Sequence, residues 1–405
     1  MKHQQRIPKS QNKSPQPFQT TVELFAGIGG FRLAAELCGI DTLWANDICP
    51  KACQVYRSQF GDSEIRQGDI REWVHEIPSH DLLTAGFPCQ PFSSAGKKRG
   101  LRDPRGHLFA VIVDILQRHR PRYFILENVK RLLSMERGDH FATMLAALTE
   151  LDYQVEWRLV NAMDFGLPQN RQRVLILGSR DMTDDCAIVR LASSEDLCDT
   201  LENHFPIIKN VSSWTEIERH SKKFPNWGLA WNRRFFANNL EHFSEAKPTV
   251  PLHQVLQSTV DPAFDFTENT LQRLKNSTQT DKFVEGAQIL YNQNGGARMG
   301  YTVFGTDGVA PTLTSAASRH YERYKVGDRY RRLTNVEYAR IQGFPDQHCA
   351  SVSIYNQYPL YGNAIPPIFA SWLIHKILQN RTTVLKASKQ QQFDLFLNEP
   401  LTYDH

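Results

Sequence analysis

Cys89 stands between two prolines in Gly86-Phe87-Pro88-Cys89-Gln90-Pro91-Phe92-Ser93, just past the apolar run Leu82-Leu83-Thr84-Ala85. A strand that runs into a stiff turn is a good mount for a nucleophile. Ligands of open α/β sheets bind outside the carboxyl ends of the strands, and a thiolate held there can attack an electrophilic carbon. The other reading of a lone cysteine is a buried structural thiol; the flanking prolines and the Gly, Ser and Lys residues downstream favour a surface loop. Glu127, in Glu127-Asn128-Val129 directly after Tyr123-Phe124-Ile125-Leu126, is a second candidate, because a carboxyl at the end of a core strand needs a partner or a task. A third is Gln169-Asn170-Arg171-Gln172-Arg173, leading into the apolar Val174 to Leu177. Strand alternation predicts Gln169, Arg171 and Arg173 on one face, where the arginines could hold a pyrimidine carbonyl, a phosphate or Glu127. An exposed strand edge blunted by charge is the other reading of Arg171.

The elements that must position these groups alternate between strand and helix. Thr21 to Phe25 reads as a strand, Gly27, Gly29 and Gly30 as a tight loop, and Phe31 to Cys38 as a helix. Strands are expected over Asp41 to Ala45, just before Gly68-Asp69-Ile70, and over Asp81 to Ala85, Tyr123 to Leu126, Tyr153 to Leu159 and Arg173 to Gly178. Helices are expected over Pro50 to Phe60, His107 to His119 and Asp139 to Leu151. This rhythm predicts an α/β fold with a doubly wound, mostly parallel sheet. Near Arg180 the rhythm breaks, and a smaller, irregular domain is expected over 181–328; helical periodicity returns over Thr334 to Gln342 and Ile368 to Leu378. The expected division is a poorly ordered basic tail over 1–19, a catalytic and cofactor-binding domain over 20–180, the second domain, a return over 329–380 and a flexible tail over 381–405.

At 405 residues with 41% hydrophobic content, the chain is long enough for two packed cores. Its formal charge is only +4, from 47 basic and 43 acidic side chains, so a polyanion must be met by a local patch. Seven cysteines without a paired CxxC framework indicate neither a disulfide scaffold nor a zinc module, and Cys49 and Cys53 fit a packed helix face better than a metal site. No apolar run approaches the roughly 18 to 20 residues of a membrane span, and the N-terminal stretch has no signal-peptide core, so a cytoplasmic protein without a metal is expected.

The strand entering Phe25-Ala26-Gly27-Ile28-Gly29-Gly30 and then a helix is similar to the first βα turn of nucleotide-binding folds. The spacing is not the dinucleotide G-x-G-x-x-G and no Walker lysine follows, so a pyrophosphate cofactor is disfavoured. Asp47 ends the next strand, where a carboxylate can accept both ribose hydroxyls, and Asp69 ends the third, within reach of an adenine amino group. Either alone could be an N-cap or turn aspartate. Together they favour S-adenosylmethionine.

FAGIGG, AND, GDI, GFPCQPFS, ENV and QNRQR, then RRLT, ARIQGFP and YGNAIPP, occur here in one order over about 20–180 and 330–378. The ordered set resembles the cytosine-C5 DNA methyltransferases, notably the bacterial restriction-modification enzymes. The resemblance implies a class I, Rossmann-like S-adenosylmethionine-dependent domain with a target-recognition domain between the two motif blocks. It implies that Cys89 adds to cytosine C6, that Glu127 contacts or protonates N3, and that Arg171 and Arg173 position the base and Glu127. For the cofactor it implies Phe25, Gly27, Gly29, Asp47, Ile48, Asp69, Ile70, Pro88, Leu108 and Asn363. This chain has Asp47 where the family usually has glutamate, Ile48 where an aromatic is frequent, and Leu360-Tyr361-Gly362-Asn363 where Gln-x-Gly-Asn is common.

The expected product is 5-methylcytosine in double-stranded DNA, made on a base flipped out of the duplex and protecting it from a cognate endonuclease. Ser93, Lys97, Lys98 and Arg99, with Arg102 and Arg105, form a glycine-bearing basic loop suited to closing over phosphates, a solvated loop being the alternative. Arg233 and Arg234 in an aromatic and basic cluster, Arg298 after a Gly-Gly pair, Thr312 and Leu313 in Ala310-Pro311-Thr312-Leu313-Thr314, and Arg319 are further candidates for DNA contact. Gln392-Phe393-Asp394-Leu395-Phe396 resembles the short peptides that dock on bacterial sliding clamps. A monomer acting at the nucleoid is expected. The alternatives are a transfer-RNA cytosine-C5 methyltransferase and a DNA-binding regulator without catalysis.

Overall fold

The structure is a computed structural model that describes residues 18–88, 108–180, 188–193, 195–197, 211–275, 277–292, 302–314, 323–378, 383–387 and 393–396. Its centre is a 10-stranded sheet in the order β3-β2-β1-β4-β5-β7-β6-β10-β11-β9. The strands that lead into the candidate motifs are β1 (Thr20–Leu24), β2 (Asp41–Asp47), β3 (Ile65–Gln67), β4 (Leu82–Gly86) and β5 (Tyr123–Val129). All neighbours within this half pair in parallel. β7 (Gln172–Ser179) inserts antiparallel between β5 and β6 (Gln154–Asn161), so β1 to β6 all run the same way.

Both faces of the parallel half are apolar, as a sheet covered on two sides requires. In β5, Phe124 and Leu126 enter one core with Phe109 and Ile112 of α4 (Leu108–His119) and Phe141 and Leu145 of α5 (Asp139–Glu150). Tyr123 and Ile125 enter the other, with Phe31 and Ala34 of α1 (Gly30–Leu37) and Phe369 and Leu373 of α9 (Pro367–Leu378). Helices on both faces complete the doubly wound arrangement expected from sequence. The remaining helices are α2 (Pro50–Phe60), α3 (Ile70–Trp73), α6 (Glu268–Lys275), α7 (Asn335–Gln342) and α8 (Ile354–Asn363).

The expected domain boundaries are displaced in two places. Residues 215–238, assigned to the second domain, form β9 (Thr215–Glu216), β10 (Trp227–Trp231) and β11 (Arg234–Asn238) and extend the central sheet from β6. The cause lies in β6, whose residues Gln154 to Arg158 are all buried, so that it cannot serve as an edge. The Trp227 indole donates to Glu156 Oε1 at 2.9 Å, and Gly228 leaves room for the Trp157 ring, which a Cβ would strike. The second sheet runs β12 (Thr278–Val284), β13 (Ala287–Asn292), β14 (Thr302–Phe304), β15 (Arg323–Val326) and β16 (Arg329–Arg332), so it continues past residue 328. A buried Arg331–Glu337 pair at 2.7 Å ties its last strand to α7, where Thr334 and Glu337 form a capping box.

At the two ends, Phe18 is buried against Tyr123 within the stretch expected to be a tail, and 1–17 lie outside the described residues. In the stretch expected to be flexible, β17 (Thr383–Ala387) pairs with β8 (Ile188–Val189) and with β18 (Phe393–Phe396), which holds most of the clamp-like peptide; Gln392 lies outside the described residues.

Glu23 lies inside this frame, 1% exposed, accepting the Phe31 amide at 3.2 Å. Burial raises its carboxyl from 4.5 to about 8. The folded chain therefore holds a proton that the unfolded chain releases above 4.5, and this stabilisation, complete below 4.5, is lost as pH rises through about 8. Glu23→Gln keeps an acceptor for the Phe31 amide and is expected to flatten the fall of the melting temperature between about pH 5 and 9. Parallel slopes for the two proteins in a calorimetric series would assign that pH dependence to other groups.

Candidate active site

A cavity of about 770 Å³ opens at the carboxyl ends of β1 to β5. Ligands are expected there in such sheets, at the reversal of strand order between β1 and β4, and the volume lies in the ~300–1,000 Å³ range of small-molecule sites. Its first wall is the loop after β1. Phe25 and Gly27 have φ of 55° and 57°, and the space where a Gly27 Cβ would stand is open, leaving bare backbone to the cavity. Gly29 does not line the cavity; a Cβ there would strike the Phe60 ring, so this glycine serves the close packing of the loop on α2.

Asp47, at the end of β2, fixes that loop. Its Oδ2 accepts the Gly27 amide at 2.7 Å and its Oδ1 the Cys49 amide at 2.7 Å, one carboxylate holding the glycine turn and the start of α2 together. Burial pushes its carboxyl up, and these amides pull it back. Each oxygen keeps acceptor capacity toward the cavity. Asp69 fulfils both of its sequence readings: it lines the cavity and it caps α3, accepting the Arg71 amide at 3.0 Å and Nε at 2.9 Å. The Arg71 guanidinium holds its carboxyl below the usual range. Ile70 is buried behind it, while Ile48 stands 67% exposed at the rim. Pro88, Leu108 and Asn363 also line the cavity.

The opposite end is built from β4, β5 and β7. Glu127 is paired with Leu175 across the strands, which sets Arg173, two residues along, diagonally on the same face. Arg173 Nε meets Glu127 Oε1 at 2.7 Å, each side chain 11% exposed. Asn128 Nδ2 donates to the Phe87 carbonyl at 3.0 Å and so holds the chain that leaves β4. Phe87 and Pro88 are the last residues before Cys89. Cys89 itself, with Ser93, Lys97, Lys98, Arg99, Arg298 and Arg319, lies outside the described residues.

Other expected residues are placed away from the cavity. Arg171 is 1% exposed and donates to the carbonyls of Leu313, Gly362 and Ala364 at 3.0, 2.9 and 3.0 Å. β7 begins only at Gln172, so Arg171 stands just before the strand, with its charge still within electrostatic reach of Arg173 and Glu127. Thr312 Oγ1 donates to the Asn170 carbonyl and Leu313 is buried, so these two bind the chain before β7. Arg233 sits in the β10–β11 turn at φ 57°, beside the N-terminal end of β6, and pairs with Glu150 and Glu218; Arg234 pairs with Glu216. That turn is at the opposite edge of the sheet from the cavity, and its arginines are committed within the chain. Asn128, Arg71, Asp114 and Ile365 line the cavity without having been candidates, and Cys49, expected on a packed helix face, lines it from the N-cap of α2. Asn128 and Arg71 adjoin singled-out acids in sequence, whereas Asp114 shows only once the rotation of α4 is known. Among the described residues no group of three or more His, Cys, Asp or Glu side chains is placed to hold a metal ion. No described helix is long and apolar enough to cross a membrane.

A doubly wound sheet with a glycine loop, strand-end acids and a Glu–Arg pair on one cavity is the Rossmann-like architecture of nucleotide-cofactor enzymes. The family model for C-5 cytosine-specific DNA methylases matches residues 19–379, and the chain belongs to that family. It is 31% identical over 388 residues to the Type II methyltransferase M1.ScrFI of Lactococcus lactis subsp. cremoris, covering 91% of this chain and 79% of the relative. It is 28% identical over 352 residues to the Type II methyltransferase M.HhaI of Haemophilus parahaemolyticus, covering 85% and 89%. The fold is similar to that of the S. pombe Dnmt2 methyltransferase, with a TM-score of 0.56 at 17% identity over 89% of this chain and 99% of that one.

Proposed function

We propose that the chain binds S-adenosylmethionine in the cavity at β1 to β5 and methylates C5 of a flipped-out cytosine within a defined duplex sequence, protecting that DNA from a cognate endonuclease. The observation that carries this reading is the placement of the Glu127–Arg173 pair on the same cavity as the Asp47-pinned loop, beside Phe87 and Pro88, the residues that precede Cys89 in the chain. The residues fit the cofactor. Asp47 offers carboxylate oxygens to ribose hydroxyls, Asp69 an acceptor to an amino group, and Ile70 and Leu108 apolar surface to a base. When bound, S-adenosylmethionine supplies a sulfonium methyl group that an electron-rich carbon can take.

The chain's own residues make C5 electron-rich. The Cys89 thiolate forms a bond to C6 while the Glu127 carboxyl holds a proton at N3, so the ring electrons collect at C5. Arg173 keeps Glu127 oriented through its 2.7 Å contact. Loss of the C5 proton and then of the thiolate restores the aromatic ring. The ring face must be reachable, so the base has to leave the stack at a cost of a few kcal/mol.

Duplex DNA carrying 5-fluorocytosine, whose C5 substituent cannot leave as a proton, is expected to trap the enzyme as a covalent adduct that survives a denaturing gel and requires S-adenosylmethionine. An adduct with fluorocytosine-containing transfer RNA and none with duplex DNA would transfer the activity to RNA. Absence from both would remove the covalent route.

A further inference from the structure

We infer that Arg171 is a positioning residue that couples the cofactor loop to the target-recognition sheet. This rests on reading the cavity as the cofactor site. Three observations carry it. First, the Arg171 guanidinium donates to the carbonyls of Gly362 and Ala364, at the C-terminus of α8 on either side of the cavity residue Asn363. The last carbonyls of a helix have no intrahelical donors and carry partial negative charge, so a buried cation there both satisfies them and completes the helix dipole. Second, the same guanidinium donates to the Leu313 carbonyl, 142 residues along the chain. Third, Leu313 belongs to a strap that zips along 168–171: the Ala310 amide donates to the Pro168 carbonyl at 2.8 Å, the Asn170 amide to the Ala310 carbonyl at 2.8 Å, and the Leu313 amide to Gln169 Oε1 at 3.0 Å. The strap then reaches the second sheet, where the Val309 amide donates to the Gly286 carbonyl at 2.9 Å, in the turn between β12 and β13.

The connection is polar, yet buried throughout. Gln169, Arg171 and Gln342 are at most 1% exposed, and Gln342 bridges Gln169 to the carbonyls of Tyr361 and Ala364. Arg171 Nε is buried without a hydrogen-bond partner, and the nearby charges it feels are those of Arg173 and Glu127, neither of which it hydrogen-bonds. An apolar residue would fill this space without that desolvation cost; the arginine's distinctive contribution is a planar fork that holds two chain segments at once. A ligand pressing on the 362–364 loop therefore bears, through one rigid group, on the segment from which the recognition sheet hangs. Because coupling is reciprocal, DNA held by that sheet bears equally on the cofactor loop.

Hydrogen exchange on the full-length protein, with and without S-adenosylhomocysteine, tests this. In the wild type, the ligand is expected to slow exchange at 25–29, which line the cavity, and also by about fivefold or more at 310–314, which do not. In Arg171→Lys, which keeps the charge but cannot bridge three carbonyls, slowing at 25–29 should persist and slowing at 310–314 should vanish. Slowing confined to 25–29 in the wild type, or slowing at 310–314 that survives the substitution, overturns the coupling role and leaves the cofactor reading intact. No slowing at 25–29 in the wild type removes the cofactor reading and the coupling with it. If Arg171→Lys does not fold, Arg171→Gln, which likewise cannot bridge three carbonyls, is read in the same way.

Discussion

Alanine in place of Cys89 is expected to lower the rate of methyl transfer by ~10⁴-fold or more while cofactor affinity stays within about twofold of the wild type. Cytosine C5 belongs to an aromatic ring and attacks a methyl group poorly. The adduct at C6 turns the ring into an enamine, and the other described groups on the cavity are placed for different work: Glu127 and Arg173 are bound to each other, while Asp47 and Cys49 stand at the far end, where the Asp47 carboxylate is fixed to the Gly27 and Cys49 amides. Most of the proposed cofactor contacts follow β1, β2 and β3, whereas Cys89 follows β4 in the chain, which is why the two effects should separate. Serine should do little better than alanine, because a hydroxyl has no activating base here and is far from ionised at neutral pH. Single-turnover transfer of a labelled methyl group, with equilibrium binding of S-adenosylhomocysteine alongside, gives both numbers. A Cys89→Ala enzyme within tenfold of wild type would end the thiolate mechanism; matched losses of rate and affinity would make Cys89 a structural residue.

The parallel half was legible because its strands are short, the central β4 and β5 are largely apolar on both faces, and helices with ordinary punctuation follow. Pro50 at the start and Gly61 at the end of α2 bracket that helix as the residue types demand. Asp47 and Asp69 were legible as strand-end acids, although only the structure discloses that Asp47 spends a hydrogen bond on each of two amides and that Arg71 engages Asp69. The β10–β11 extension was not legible, because its aromatics fit a small separate core equally well; what decides is that β6 is buried along both faces, a fact about its neighbours. Arg171 and Arg233 show the same limit. Their charge suggests a ligand, and their actual partners are carbonyls and carboxylates of this chain, brought near by long-range packing that no local pattern records.

Glu127→Gln is expected to reduce kcat by ~10²–10⁴-fold with little change in cofactor affinity, the range that loss of a positioned proton donor commonly costs. The glutamine side chain fits the same space and its oxygen can still accept from Arg173, so the guanidinium keeps its hydrogen bond and its packing although the countercharge is lost. Arg173→Ala is the contrasting change: it strands a carboxylate of 11% exposure without its cation, and breaking a buried pair from one side costs up to ~3–5 kcal/mol. Melting temperature should therefore separate the two variants, falling little for Glu127→Gln and clearly for Arg173→Ala, while both lose activity. The adduct assay refines the assignment. If Glu127 holds the proton at N3 during attack on C6, Glu127→Gln must slow formation of the fluorocytosine adduct in proportion to turnover. Adduct formation at the wild-type rate with turnover still reduced would move Glu127 from the attack on C6 to a later step, and an unchanged kcat would leave its ion pair a purely structural contact between β5 and β7.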